Sequence, residues 1–502
     1  MNTVSPSLSR SRRPALLVPP RPLILLHRWL GIGVGFLFAV WFASGAVMSF
    51  VPFPSLPGST RLAHSEVIDI GRVRISPAAA LMTASGLQVE RIRLISVEGH
   101  PRYVLAVAGG PVVSVSAESG QLLKTLPAST AREVAESFSG QPVAGITGPF
   151  DYDQWIVHDQ YDEFRPFYRV ALADGRGTAL YVSARSGEVL QRTRRAERAW
   201  NFVGSVVHWA NIVALRRHKD VWRSVMLTLG GICGLLACAG ITLGMMHLIN
   251  MRRMRRPGLS PFRNWLRWHH TLGLFASVLL LSWVVSGCLM LDDGMVFPGD
   301  EPTAAEVAGV RGMTLAEAAD RFSLAALSML PPARQIEITA VAGTPYLVVR
   351  SGGPGGSWLA TPAPGGGGLS LSHSVPDDSL LAAVREAWPT SHARAVRGIA
   401  RDDAYQLLSD PLPLTARRIV LDDARRTWVQ IDSGTGQILS VTDSRSRMRR
   451  WWVTGLHDLD FPLLDRSGVA HQTVLLLAVA LGFVFSCTGL VVGVKRIRRR
   501  RA

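Results

Sequence analysis

Four long apolar runs constrain this chain of 502 residues more than any other feature of its sequence. A run of about 20 apolar residues is long enough for a helix to cross the hydrocarbon core of a bilayer. Each run also contains glycine, alanine and serine, which are small enough to let helices or a cofactor pack closely. The sequence therefore predicts four transmembrane helices, at residues 23–51, 222–249, 268–292 and 471–494.

The basic residues predict how these helices are oriented. The formal net charge of +17 would suit a nucleic-acid-binding protein, but its placement argues against a nucleic-acid partner, because the positive-inside rule puts arginine and lysine on the cytoplasmic side of membrane spans. They precede the first run (Arg10, Arg12, Arg13, Arg21), fill the loop between the second and third (Arg252, Arg253, Arg255, Arg256, Arg263, Arg267) and follow the fourth (Lys495, Arg496, Arg498 to Arg501). We expect a multi-pass protein of the bacterial inner membrane, within the lipid bilayer, with both termini in the cytoplasm.

The first and third runs repeat each other. His27, near the start of the first run, corresponds to His269 at the start of the third, 242 residues later. The same offset relates Ser44-Gly45 to Ser286-Gly287. An ionisable side chain within a membrane span is costly and is usually kept for a function, so the repeated histidine indicates a site between the two halves.

The second and fourth runs repeat at an offset of 249 residues. Cys238-Ala-Gly240 in the second run corresponds to Cys487-Thr-Gly489 in the fourth. The same offset relates His208 to His457, each of which lies ahead of its run. Each half of the chain is therefore predicted to contain a span, a long inter-span segment, an approach segment that carries a histidine, and a second span.

The two inter-span segments carry the pattern of small α+β domains. Alternating apolar residues interrupted by Gly, Ser-Gly or Thr-Gly predict antiparallel strand–turn–strand units, at 94–105, 181–190, 338–349 and 429–439. A helical pattern precedes the first strand pair of each segment. In the second segment this helix begins with a capping box formed by Thr314 and Glu317.

The predicted fold is a membrane α-helical core of four transmembrane helices in two pseudo-repeats, with two periplasmic α+β domains. In chain order we expect a cytoplasmic basic N-terminus (1–22), a first span (23–51), a first periplasmic domain (52–199), an interfacial approach segment (200–221), a second span (222–249), a cytoplasmic basic loop (250–267), a third span (268–292), a second periplasmic domain (293–448), a second approach segment (449–470), a fourth span (471–494) and a cytoplasmic basic tail (495–502).

Together these features resemble one protein family. The His27-Arg-Trp-Leu-Gly31 start of the first run, the histidine ahead of the second run and the Ser-Gly-Glu-Val and Thr-Gly-Gln-Ile hairpins are similar to the PepSY-associated transmembrane family. The resemblance covers nearly the whole chain and implies two periplasmic PepSY-like domains on a four-helix membrane core. Some members resemble iron-regulated membrane proteins and siderophore reductases that hold two b-type haems. The resemblance therefore implies transmembrane electron transfer towards a periplasmic acceptor such as a ferric siderophore.

The repeated histidines supply the ligands that such a function would need. Haem b takes axial ligands, and two imidazoles from facing helices suit it. We predict that His27 and His269 bind the haem iron near the inner face, and that His208 and His457 bind the haem iron near the outer face. The alternative is that the first pair are membrane-interface residues and the second pair are surface residues.

Three other histidines compete with this set. His247 ends the second run on the inner side and His471 opens the fourth run on the outer side, and neither is matched by a histidine in the other half. His270 neighbours His269 but points about 100° away from it on a helix. We keep His471, His247 and His270 as alternates, with His471 the strongest because it lies on the helix itself.

Two features flank the inner site. Gly31, Gly33 and Gly35 form a smooth strip against which either a porphyrin or another helix could pack. Arg28, Arg267 and Trp268 border the inner site. An arginine there could pair with a haem propionate, because a guanidinium matches the geometry of a carboxylate, or it could anchor the span at the interface.

Two classes of function remain open. The first is a di-haem b electron-transfer protein that acts as a ferric-siderophore (metal) reductase; without a nicotinamide or flavin fingerprint, its electron donor would be quinol or a separate protein. The second is a non-enzymatic PepSY membrane protein that binds peptides or proteases as a regulator, through strand addition at an exposed sheet edge. The inter-span segments contain no HExxH, GxSxG or P-loop motif, so the sequence assigns no catalytic residue.

Overall fold

The computed structural model describes residues 16–352, 356–364, 368–400, 403, 405, 412–464 and 469–501. Arg10, Arg12 and Arg13 of the predicted basic N-terminus lie outside the described residues. The helices are, in chain order, α1 (Arg21–Gly33), α2 (Gly35–Met48), α3 (Gly58–His64), α4 (Pro77–Thr83), α5 (Ala128–Ser139), α6 (Arg195–Asn201), α7 (Val213–Arg216), α8 (Lys219–Arg253), α9 (Asn264–Met290), α10 (Ala304–Arg311), α11 (Leu315–Asp320), α12 (Leu324–Ser328), α13 (Asp377–Ala387), α14 (Ser446–Arg449) and α15 (Val469–Arg501).

Short helical turns and strands complete the described elements. The 3₁₀ turns are Ile70–Arg72 and Asp159–Phe164, and the π-helical turns are Phe202–Val206 and Arg450–Gly455. The strands are β1 (Val89–Val97), β2 (His100–Val107), β3 (Val113–Ser116), β4 (Val143–Phe150), β5 (Phe167–Leu172), β6 (Ala179–Ser183), β7 (Val189–Thr193), β8 (Gln335–Val341), β9 (Thr344–Arg350), β10 (Ser357–Pro362), β11 (Leu369–Ser372), β12 (Ala393–Gly398), β13 (Ala416–Leu421), β14 (Trp428–Asp432) and β15 (Gln437–Thr442).

The membrane part consists of three single helices and one broken helix. Within the described residues, α8, α9 and α15 are each long and apolar enough to cross a membrane. The run 23–51, predicted as one helix, is instead the pair α1 and α2, bent by 50°, and it counts as a fourth span only if the pair is taken together. The break lies at Val34, whose backbone leaves the helical region at φ −121° and ψ −4°. Gly33 and Gly35 flank it, and glycine weakens a helix at such a point.

These helices form one bundle with two distinct ends. Helix α8 packs on α9 and α1, and α15 packs on α2 and α9, around an apolar core that includes Phe38, Phe42, Leu236 and Leu280. The inter-span segments begin after α2 and α9 and end before α8 and α15, so all four junctions lie at what we call the sheet end. The opposite end carries the loop 250–267 and the last turns of α15, and we call it the basic end.

The two inter-span segments share a central seven-stranded sheet. Its order is β11-β10-β9-β8-β1-β2-β3, and the halves of the chain meet where β1 pairs antiparallel with β8, with Ile92 opposite Ile338. Two four-stranded sheets, β4-β5-β6-β7 and β12-β13-β14-β15, come one from each half. The antiparallel strand–turn–strand units predicted from the sequence are therefore confirmed.

The periodicity of β1 explains how the sheets stack. Side chains alternate between the two faces of a strand, so Ile92 and Leu94 pack towards α4 and α11, whereas Ile95 and Val97 pack towards the β4–β7 sheet. Strand β1 is buried on both faces for this reason. The predicted capping box at α11 is also present: the Thr314 amide donates to Glu317 at 2.7 Å and the Glu317 amide donates to Thr314 Oγ1 at 3.2 Å.

Candidate functional site: two facing histidine pairs

The first pair joins the two halves of the chain at the basic end of the bundle. His27 on α1 and His269 on α9 face each other with ring centroids 6.3 Å apart and ring planes inclined by 31°. Nδ1 of His27 lies 3.3 Å from the carbonyl oxygen of Leu236. Nδ1 of His269 lies 3.2 Å from the hydroxyl of Thr488, and its ring stacks on Phe485. The two residues that the sequence placed at matching positions are therefore brought together.

The second pair repeats this arrangement at the sheet end. His208 and His457 follow the two π-helical turns, and their ring centroids are also 6.3 Å apart, with the planes inclined by 83°. Nδ1 of His208 lies 3.0 Å from the hydroxyl of Ser44, and Nδ1 of His457 lies 3.0 Å from that of Ser286. The repeated serines noted in the sequence thus contact the repeated histidines.

The partners of Nδ1 determine the tautomer of these rings. A carbonyl oxygen can only accept, so Nδ1 of His27 carries the proton that it donates to Leu236. The hydroxyls of Ser44, Ser286 and Thr488 each donate to a backbone carbonyl and therefore accept from their histidine. With the proton on Nδ1, the lone pair on Nε2 is left for a metal, and such a second partner is typical of histidine ligands.

A glycine faces each of the four histidines. A Cβ atom added to Gly240 would lie 2.8 Å from Cε1 of His27, and one added to Gly489 would lie 3.1 Å from Cε1 of His269. At the sheet end the corresponding distances are 3.5 Å from Gly45 to His208 and 3.4 Å from Gly287 to His457. The glycines repeated in the sequence therefore make room for the rings, most strictly at the basic end.

Each pair borders its own cavity. The basic-end cavity has a volume of about 810 Å³ and the sheet-end cavity one of about 620 Å³, within the range of about 300–1,000 Å³ that is usual for small-molecule and cofactor sites. Seven of the residues that line the basic-end cavity are glycines: Gly31, Gly35, Gly240, Gly244, Gly273, Gly489 and Gly493. Because glycine has no side chain, a flat ligand could lie against the helix backbone at these positions.

The two cavities differ in charge. The charged residues that line the basic-end cavity in the described structure are all cations: Arg28, Arg263, Lys495, Arg496 and Arg499. The sheet-end cavity is lined instead by Asp458 and Asp460. Asp460 forms a buried ion pair with Arg450 at 3.1 Å. The basic-end cavity thus suits a ligand with anionic groups. Of the two arginines considered from the sequence, Arg28 lines this cavity and Arg267 does not.

The three alternate histidines lie beside the pairs. His247 and His270 contact each other at the basic end, with ring centroids 6.0 Å apart, and both border the basic-end cavity. His270 Nε2 lies 3.3 Å from the carbonyl oxygen of Gly244. His471 borders the sheet-end cavity, and its Nε2 lies 2.8 Å from the carbonyl oxygen of Asp458. For His270 and His471 the hydrogen bond uses Nε2, the nitrogen left unbonded in the four paired residues.

Sequence reasoning missed two supports of the sheet-end pair. Nε1 of Trp41 donates to the carbonyl oxygen of His208 at 3.1 Å, and Nε1 of Trp283 donates to that of His457 at 2.7 Å. The tryptophans obey the same offset of 242 as the histidines of the spans, so the repeat could have revealed them. The π-helical turns ahead of each histidine have no such signal, although π-turns are frequent at functional sites.

Within the described residues, no group of three or more His, Cys, Asp or Glu side chains is arranged to hold a bare metal ion. What the chain offers is two separate pairs of imidazoles. Each pair could supply two imidazoles to one metal if another molecule supplied the remaining ligands.

Comparison with known families places the chain. No match to it was found among curated proteins. A family model described as the PepSY-associated TM region matches residues 24–346, which is more than half of the chain and includes His27, His208 and His269. The chain belongs to the PepSY-associated transmembrane family.

Proposed function

We propose that this protein binds two b-type haems and carries electrons across the membrane between them. His27 and His269 would hold one haem at the basic end, and His208 and His457 would hold the other at the sheet end. The observation that carries the proposal is the pair of facing imidazoles, each with Nδ1 hydrogen-bonded, found twice in the bundle.

The separation of the rings fits this assignment. A metal lies about 2.0–2.1 Å from an imidazole nitrogen, which is itself about 1.1 Å from the ring centre, so two axial imidazoles have centroids about 6.2–6.4 Å apart. Both observed separations are 6.3 Å. A porphyrin would supply the other nitrogen ligands, so two imidazoles from the protein would be enough at each site. When bound, each haem would supply a one-electron carrier.

Apolar side chains lie between the two cavities. Phe38 and Leu280 line both cavities, and Phe42 packs edge-on against Trp283 with centroids 5.3 Å apart. These side chains belong to the apolar core of the bundle. They would exclude water between the sites. The groups that hydrogen-bond Nδ1 of each histidine and the charges nearby would tune each site.

The charge distribution supports a direction of transfer. We place the basic end in the cytoplasm of a bacterium with an inner membrane, because the positive-inside rule favours that orientation. Electrons would enter at the basic end from quinol or a separate protein and leave at the sheet end. The acceptor would be periplasmic, such as a ferric siderophore, which makes the protein a ferric-siderophore (metal) reductase.

Absorption spectroscopy of the full-length protein tests the haem assignment. The protein is made with ample haem supply, purified in detergent, and compared in the oxidised and dithionite-reduced states with haem measured against protein. We expect reduced b-type bands and about two haems per chain, one for each histidine pair. A colourless protein would refute the proposal and would leave the alternative, a regulator that binds peptides or proteases through its PepSY-like part.

Single variants test the pairing. His27→Ala and His269→Ala should remove the same spectral component, and His208→Ala and His457→Ala should remove the other. His100→Ala, at an exposed histidine of β2, is the control and should retain both. Loss of a haem in His471→Ala with full retention in His457→Ala would contradict the assigned pair.

Electron paramagnetic resonance distinguishes the two sites. The ring planes are inclined by 31° at the basic end and by 83° at the sheet end. If each pair held a haem, these different inclinations should give two distinct ferric signals. We expect His27→Ala to remove one of them and His208→Ala to remove the other.

A further inference from the structure

A third cavity lies outside the membrane part, where the two inter-span segments meet. It has a volume of about 270 Å³. The first segment contributes walls from α3, α5, β1 and β7, and the second contributes Arg334, Gln335 and Arg350. It shares no lining residue with the two histidine cavities among the described residues, and the proposed electron transfer makes no use of it.

The carboxylates that border this cavity are already engaged. Glu188 accepts two hydrogen bonds from Arg93, at 2.7 and 2.9 Å. Glu66 accepts from the hydroxyl of Ser96 at 2.9 Å and from the amide of Gly99 at 2.8 Å. These acidic groups are therefore tied to the protein and do not present a free anionic site.

Two of the arginines that border the cavity have no described carboxylate as a partner. Within the described residues, the guanidinium of Arg61 makes no hydrogen bond and no ion pair. Arg334 donates only to the backbone carbonyls of Ser65 and Ser351, so no described carboxylate pairs with its charge. A guanidinium that is partly withdrawn from water and lacks an anionic partner is costly, and an anion in the cavity would relieve that cost.

The surroundings of Arg61 strengthen this imbalance. Burial lowers the pKa of Arg61, and its neighbours Arg93 and Arg350 lower it further, while Glu188 acts in the opposite direction. The net lowering means that the site around Arg61 disfavours the positive charge it contains.

Part of the lining of this cavity is apolar. Leu62, Ile95, Val134 and Phe138 line it. An inorganic oxyanion would leave this surface uncovered, whereas an organic acid would place its hydrocarbon part there and its carboxylate on the cations. A guanidinium matches a carboxylate with two parallel hydrogen bonds. The volume, just below the usual range for ligand sites, limits the occupant to a small molecule or the end of a chain.

We propose that this cavity binds a small organic carboxylate with an apolar body, anchored by Arg61 and bordered by Arg334 and Arg350. The carboxylate is either that of a free acid or the C-terminal group of a peptide. Because both inter-span segments contribute to the walls, the occupant would stabilise the contact between the two halves of the molecule. The assignment does not depend on haem.

Isothermal titration of the full-length protein in detergent tests the ligand class. The probes are N-acetyl-leucine, its neutral analogue N-acetyl-leucinamide, 4-methylpentanoate and inorganic phosphate. We expect the two carboxylates to bind and the amide to bind at least about tenfold more weakly, because it loses the charge-assisted hydrogen bonds.

Tighter binding of N-acetyl-leucine than of 4-methylpentanoate indicates a peptide C-terminus, and the reverse indicates a free acid. Equal binding of the acid and the amide, tighter binding of phosphate, or no carboxylate binding up to about 10 mM would overturn the proposal.

Variants test the residue. Arg61→Gln should weaken carboxylate binding by about 10- to 100-fold, and Arg61→Lys should retain part of it. Arg132→Gln is the matched control, because it removes the same charge from an exposed position of α5 that does not border the cavity. Thermal unfolding of each variant checks the fold. If Arg61→Gln binds N-acetyl-leucine as the unmodified protein does, Arg61 is not the anchor.

Discussion

A buried ion pair between Arg93 and Glu188 shows how single residues stabilise the sheet domain. The two side chains are about nine-tenths buried or more, and they form two hydrogen bonds. Burial by itself would raise the pKa of Glu188, but the charge and hydrogen bonds of Arg93 outweigh it and lower the pKa to about 2. A buried ion pair adds little stability compared with apolar residues in its place, but removing one partner leaves the other charge buried and unpaired.

We therefore expect Glu188→Gln to destabilise the sheet domain by about 3–5 kcal/mol, because Arg93 would be left buried without its anion. Thermal unfolding of the full-length protein in detergent, followed by tryptophan fluorescence, measures the loss. Glu118→Gln is the control, since Glu118 pairs with Arg72 at a partly exposed site, where the side chains are 28% and 41% exposed, and it should change stability less. Equal effects of the two substitutions would show that the buried pair has no special role.

The same pair predicts an acid limit to stability. The pKa of Glu188 is lower in the folded protein than its ordinary value of 4.5. Its contribution is therefore fully present above pH 4.5 and is lost as the pH falls from 4.5 towards 2. The unfolding temperature of the unmodified protein should fall across this interval, and that of Glu188→Gln should fall less. Parallel curves would assign the acid limit to other groups.

At the scale of elements, glycines on the facing helices leave room for the imidazole rings of the histidines. Gly240 on α8 faces His27, and Gly489 on α15 faces His269. The bend at Val34 turns α2 relative to α1, so the two helices run in different directions. The geometry of the histidine pairs thus depends on close backbone approach as well as on the histidines themselves.

We predict that Gly240→Ala disturbs the basic-end pair, because its Cβ would lie 2.8 Å from Cε1 of His27 and one of the two must move. Haem content should fall from about two to about one per chain under the proposed function. Gly231→Ala, on the same helix with nothing within 4 Å of its Cβ, should keep both haems. Full haem content and an unchanged spectrum in Gly240→Ala would exclude this crowding.

At the scale of the whole molecule, the two halves are joined by the β1–β8 pairing as well as by the helix bundle. Leu94 lies opposite Ile336 across this seam, and both side chains are buried. The apolar cluster on this face includes residues from both inter-span segments. We therefore expect the extramembrane part to unfold as one unit.

Ile336→Asp should destabilise both inter-span segments together, because it places an unpaired charge in their shared core. Limited proteolysis with mass spectrometry should find new cleavage sites in both segments. Leu371→Asp is the control, since Leu371 is 46% exposed on the edge strand β11 of the same sheet. New cleavage confined to the second segment would show that the halves are independent.

Features that are encoded by neighbouring residues could be predicted before the structure was known. Apolar runs predicted the long helices α8, α9 and α15, and turn residues predicted the hairpins at Gly99 and Gly343. The internal repeat singled out the four histidines as candidate site residues, because corresponding residues of the two halves are separated by constant offsets.

The remaining features depend on contacts between residues far apart in the chain, so they became visible only in the folded protein. The acceptor for His27 is the carbonyl of Leu236, 209 residues away, and any residue type carries a carbonyl. Packing between distant elements also produces the bend between α1 and α2, the shared seven-stranded sheet and the cavity beside Arg61. Local periodicity of the sequence carries no signal for such packing.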